Sequence, residues 1–265
     1  PRSTLDRSSA ASDVYKRQVH TSPVTGMTVD LEKITKEVRN VTPDCIIIVD
    51  GIQHSSHGAI DVQKYDIDGY VVSPYKMFSR HGYGVAWASE RLCTLNKEQL
   101  ADGPFQNWEL GTRDAGSYAT FSDVVDYLDW LGSNFTESEN TRERLEASSI
   151  AIKSHEQELV DLVINGAEDI VGLRNNKKIQ IIGTSDSKFR EGVVSFFQKN
   201  KPSSIIVEEL RQRKIRVHIR KDDHYCGNIL RPLNQKDCIR FSICHYNSKA
   251  EVVEFMKAIN EISTN

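Results

Sequence analysis

CIIIVDGIQHSSHGAIDVQKYDIDGYVVSPYKMFSRHGYGVAW, residues 45–87, is the stretch whose reading decides the fold. Cys45–Val49 is a short β-branched apolar run, closed at once by Asp50. A second run, Ile67–Val72, ends in Ser73-Pro74-Tyr75-Lys76. The segment between them is long enough for the crossover that two parallel strands require. Parallel strands finish at the same edge of a sheet. Asp50 and Lys76 are therefore expected together at the carboxyl edge, where open α/β sheets bind their ligands.

A carboxylate beside an amine at that edge suits pyridoxal 5'-phosphate. A lysine amine condenses with the cofactor aldehyde as a Schiff base, which an amino-acid substrate can displace. An aspartate keeps the pyridine nitrogen protonated, so that the ring accepts electrons. Gln53 could reach the ring oxygen, and Ser73 could donate to the phosphate. Spacing alone leaves the bland alternative open, because a lysine just after a strand is commonly a solvated surface residue.

The ordered set Asp50-Gly51-x-Gln53, Ile60-Asp61-Val62, Asp66-x-Asp68 and Ser73-x-x-Lys76, followed by Gly82-x-Gly84, resembles the class V aminotransferases. Within them it is most similar to the cysteine desulfurase-like branch of the fold-type I pyridoxal phosphate enzymes. The resemblance implies an α/β fold: a partial cofactor-binding large domain with a mostly parallel sheet flanked by helices, and a smaller α+β C-terminal domain. It implies a small amino acid as substrate. It also implies a homodimer in which Thr112, of Gly111-Thr112, contacts the partner's cofactor. Tyr75 stands where relatives carry a histidine on the phosphate, and its hydroxyl can donate the same bond. His20, Ser22 and Gly26 match the family's His-x-Ser-Asn-x-x-Gly, but Pro23 replaces the Asn.

The C-terminal half holds a second cluster, His224-Tyr225-Cys226-Gly227-Asn228, and then Cys238-Ile239-Arg240-Phe241-Ser242. By the resemblance, Arg240 grips the substrate carboxylate, since a guanidinium fork matches two carboxylate oxygens. Its alternative is an edge-strand arginine facing water. Cys226 aligns with the sulfur-accepting cysteine of desulfurases, with His224 close enough to favour its thiolate. The family's Ala-Gln-Pro continuation is Gly227-Asn228-Ile229 here, and a buried inert cysteine is the competing reading. Sulfur removal from cysteine and transamination both stay open. So does a non-catalytic protein-binding module that keeps the fold.

Composition narrows the surroundings. A net charge of −3 gives no reason to expect nucleic acid or an anionic membrane as partner. Apolar runs such as Cys45–Val49 are far too short to span a bilayer. The cysteines at 45, 93, 226, 238 and 244 form no CxxC pair and no metal spacing. An odd, scattered set predicts a reducing, cytoplasmic setting. Residues 1–18, polar and without apolar period, read as a non-native leader ahead of a truncated N-terminus. The expected domains are 19–135 and 136–265, with a hinge in the polar stretch 132–140. Helices are expected at Leu31–Val41, Phe121–Leu131, 141–164, 203–212 and 249–262. Strands are expected at 83–89, 179–182, 192–197, 215–219 and 239–243.

Overall fold

The computed structural model describes residues 15–103, 108, 110–111 and 114–264. These residues form two compact units. The first holds residues up to His20 and Val29–Ser148; the second holds Thr21–Thr28 and Ser149–Asn265. The second unit is thus discontinuous in sequence. Among the described residues, no helix is long and apolar enough to cross a membrane.

The first unit is built on a four-stranded sheet in the order β1-β2-β3-β4: Tyr15–Val19, Ile46–Asp50, Gly69–Val72 and Val85–Ala88. β2 and β3 are parallel, in the register Ile48↔Gly69 to Asp50↔Val71. β4 is antiparallel to β3. The sheet also takes in residues 15–18 of the segment set aside as a leader, because β1 pairs parallel with β2 from Tyr15↔Ile46 to Val19↔Asp50. Its pairing is backbone pairing, and Tyr15, Arg17 and Val19 stay exposed, so it left no apolar pattern to read.

Helix α1, Leu31–Val41, starts where the Asp30 side chain accepts the Lys33 N–H at 3.0 Å. It buries Leu31 against Cys45, Ile47, Val49, Ile67, Tyr70 and Val72 of the core. Val41, at the helix end, is exposed. A short turn of helix α2, Glu90–Cys93, follows β4, and helix α3 runs from Ala115 to Gly132. The expectation for α3 began at Phe121. Its extra first turns come from the Asp114 cap on Ser117, which apolar spacing does not show. The polar stretch 133–140 joins α3 to helix α4, Thr141–Asn165.

At the amino end of the β2–β3 pair, Asp68 is buried as an ionic node. It accepts the Ile47 N–H at 2.8 Å, Arg39 at 2.9 Å and Arg91 at 2.6 and 2.7 Å. Burial would raise its carboxyl, but Arg91, the Ile47 N–H and Arg39 together outweigh that and hold it below its ordinary value.

The second unit carries a four-stranded sheet in the order β7-β8-β10-β9: Ile179–Ile181, Val193–Gln198, Asp237–Ser242 and His218–Lys221. A small hairpin, β5 (Gly166–Ala167) with β6 (Ile170–Val171), follows α4. One sheet face presents Val194, Phe196, Ile239 and Phe241. These pack with α4, α5 (Ser203–Gln212) and α7 (Lys249–Thr264) around Leu159, Ile206, Leu210 and Phe255. The opposite face holds a smaller cluster of Val24, Ile182, Phe197, Cys226, Leu230 and Cys238, with helix α6, Gly227–Leu230, supplying Leu230. The strand expected at 215–219 is shifted to 218–221, because its partner is the 237–240 segment of β10.

Candidate active site

The carboxyl ends of β2 and β3 converge as their register requires. The ladder continues past the strands: Gly51 N–H bonds Val71 O, and His20 N–H bonds Asp50 O, both at 2.9 Å. Asp50 is exposed at this rim, and its Oδ1 accepts the Ile52 N–H at 3.0 Å, which turns the chain toward Gln53. A Cβ on Gly51 would lie 2.1 Å from the buried Tyr70 ring, which would have to shift to admit it. From the neighbouring strand, Ser73 opens the short 3-10 turn Pro74–Met77 that carries Tyr75 and Lys76. The Lys76 amine donates to Gln53 Oε1 at 3.0 Å. The turn ends at Phe78, which takes the left-handed conformation at φ 71°.

Gln53 is held from its other side as well. Its Nε2 lies 3.0 Å from His57 Nε2. An amide nitrogen only donates, so His57 accepts there and keeps its proton on Nδ1. His20 Nδ1 lies 2.8 Å from the Tyr70 hydroxyl, and the His20 ring stacks on His54 with centroids 3.6 Å apart. His54 in turn donates from Nε2 to the Ala59 carbonyl at 3.1 Å. Tyr75 stacks on His81 at 4.3 Å, leaving its ring partly exposed.

The structure therefore places Asp50, Gln53, Ser73, Tyr75 and Lys76 on the two adjoining turns of one rim, with a direct Gln53–Lys76 contact. His54, His57 and Tyr70 were not singled out in sequence. The only sequence hint was the run Gln53-His54-Ser55-Ser56-His57 directly after a strand's carboxyl end. Thr112 lies outside the described residues.

Arg240, His224 and Cys226 belong to the second unit. Arg240 stands on β10 opposite Ser195 and His218, and its Nη1 donates to the Pro23 carbonyl at 3.1 Å. That bond is one of a set holding the 21–28 segment: Ser195 Oγ donates to Val24 O, and Arg190 donates to Thr25 O. The Arg190 guanidinium also donates to the carbonyls of Ile182 and Thr184, and burial lowers it to about 10. His224 is exposed and packs on Tyr225, with ring centroids 4.0 Å apart. Cys226 is fully buried in the apolar cluster. Burial pushes its thiol up despite the nearby charge of Arg220. That environment favours the competing reading, an inert core cysteine, over a thiolate nucleophile.

The turns of the first rim thus carry an amine, a carboxylate, an amide and two hydroxyls. The chain is 28% identical over 237 residues to a cysteine desulfurase of Synechococcus elongatus, covering 82% of this chain and 33% of that protein. It is 27% identical over 252 residues to the aminotransferase-like protein FGM3 of Gibberella zeae, covering 92% of this chain and 58% of that one. The apo cysteine desulfurase of Thermococcus onnurineus NA1 shares the fold, with a TM-score of 0.74 at 21% identity over 95% of this chain and 60% of that one. The chain thus spans between a third and three-fifths of the length of these relatives. A model of the class-V aminotransferase family matches residues 14–255, and the chain belongs to that family.

Proposed function

We propose that the whole protein is a pyridoxal phosphate-dependent enzyme acting on a small amino acid. The observation that carries this reading is the Lys76 amine held 3.0 Å from Gln53 at the end of a parallel strand pair whose other member ends in Asp50. The cofactor, when bound, withdraws electrons from the substrate's α-carbon.

The chain's own residues then have distinct tasks. Lys76 anchors the aldehyde through its amine and is the group able to carry a proton to and from the substrate. Asp50, exposed at the rim, holds the proton on the ring nitrogen. Gln53 orients the ring oxygen, and its amide direction is kept by His57. Ser73 and Tyr75 present hydroxyls from the same turn toward the phosphate. Arg240 takes the substrate carboxylate, and Thr112 reaches the cofactor of a second copy in a homodimer. Cys226, sealed from solvent, is a packing residue. This favours transamination or another reaction needing no sulfur-accepting thiol over persulfide formation.

Reconstitution with pyridoxal phosphate tests the core of this reading. Borohydride treatment should fix the cofactor mass on the Lys76 peptide, and Lys76→Ala should lose both the mass and the visible absorption band. Cofactor mass on another lysine would refute it. For the reaction, Cys226→Ser should leave keto-acid formation intact. Loss of sulfide or persulfide formation from L-cysteine in that variant would restore the desulfurase role.

A further inference from the structure

On the second unit, β9 and β10 pair in the register Arg240↔His218 and Cys238↔Arg220. Strand side chains alternate, so His218, Arg220, Cys238 and Arg240 share one face. This is the face of Cys226 and Cys238, opposite the helix-covered face of Ile239 and Phe241. Arg216 adds its charge just before β9.

Three guanidiniums around one imidazole are an unfavourable arrangement. Like charges directly across a strand pair are destabilising, and Arg220 is the diagonal neighbour of Arg240, about 7–8 Å away. Burial lowers the His218 imidazole, and Arg240, Arg220 and Arg216 lower it further. No carboxylate pairs with Arg216 or Arg220 among the described residues. Two nearby acids are engaged elsewhere: Asp222 pairs with Arg231, and Asp223 caps the Tyr225 and Cys226 N–H groups. Arg220 Nε is also shielded from solvent and has no hydrogen-bond partner there. A partly buried guanidinium with an unfilled donor, beside a second one, is a preformed receptor for an anion.

We propose that Arg220, with Arg216 and His218, forms a second anion subsite next to Arg240, which makes the preferred substrate an amino acid with an acidic side chain. Arg240 takes the α-carboxylate and Arg220 the distal acid. The assignment of Arg240 rests on the function proposed above; the Arg220 subsite rests on the strand geometry.

The test uses the full chain without cofactor, with succinate and propionate as probes, so that cofactor loading plays no part. Affinity and the His218 titration are both read, the latter by NMR of the imidazole. A charge-assisted bond to a second carboxylate predicts that succinate binds about tenfold tighter than propionate. Succinate should also raise the His218 pKa by more than propionate does. Arg220→Gln should abolish the succinate preference and leave propionate unchanged, whereas Arg220→Lys should restore part of it. Equal affinity for the two acids would overturn the subsite, as would a preference that survives Arg220→Gln. Arg240→Gln should weaken both probes. If it weakens neither while the Arg220 dependence holds, the carboxylate role of Arg240 fails and the anion site stands.

Discussion

Asp68 shows how one side chain can set the conditions under which the first unit stands. Its carboxylate is nearly solvent-free and receives Arg39, Arg91, Ser89 and the Ile47 N–H. Asp68→Asn removes the buried counter-charge of Arg91 and Arg39, leaving Arg39 only the exposed Asp66, and should destabilise the unit by about 3 kcal/mol. Urea unfolding followed by tryptophan fluorescence measures it. The pH dependence has a definite sign. The folded carboxyl is held below the ordinary value of 3.8, so the unfolded chain takes up the proton first as pH falls. The stabilisation is complete at neutral pH. It should be lost as pH drops below the unfolded value and through the lowered folded one, and the Asn variant should lack that acid limb.

Among elements, a close junction lies where α3 meets α4. A Cβ on Gly132 would sit 1.9 Å from the Arg144 carbonyl oxygen, which is backbone and cannot swing aside. Gly132→Ala should therefore cost about 1–3 kcal/mol, against the small gain of the same change in an open helix. Thermal unfolding of the variant checks this. Elements like these also show what a sequence discloses. β2, β3 and α5 were readable because β-branched runs and spaced Ile206 and Leu210 mark the faces they bury. β1 was not, because it joins the sheet through backbone groups alone. The rim of Asp50, Gln53 and Lys76 was readable from strand ends and residue type. The His20–His54 stack was not, since it depends on a ring contact between residues far apart in the chain. Cys226 was ambiguous for a related reason: its motif position suggests reactivity, and only its packing reveals the closed apolar surroundings.

At the scale of the whole molecule, the cores are separate in composition. The cluster around Ile47 and Val49 lies in the first unit, and those around Phe255 and Cys226 lie in the second. All three tryptophans, Trp87, Trp108 and Trp130, fall in the first unit. Phe255→Ala removes a fully buried ring stacked on Phe241 and should cost about 3–5 kcal/mol. Its effect should appear as an earlier far-UV circular dichroism transition, with the tryptophan fluorescence midpoint unmoved. A common shift of both signals would show that the units unfold together.

The eight residues 21–28 lie early in the chain, yet Ser195, Arg190 and Arg240 hold their carbonyls. During synthesis at about 5–20 residues per second, that octapeptide leaves the ribosome roughly ten to forty seconds before Arg240 does. Through that interval it is a tethered strand end awaiting its clasp. The nascent protein can settle its first sheet early, but the second unit can close only after Arg240, more than two hundred residues further on, has emerged.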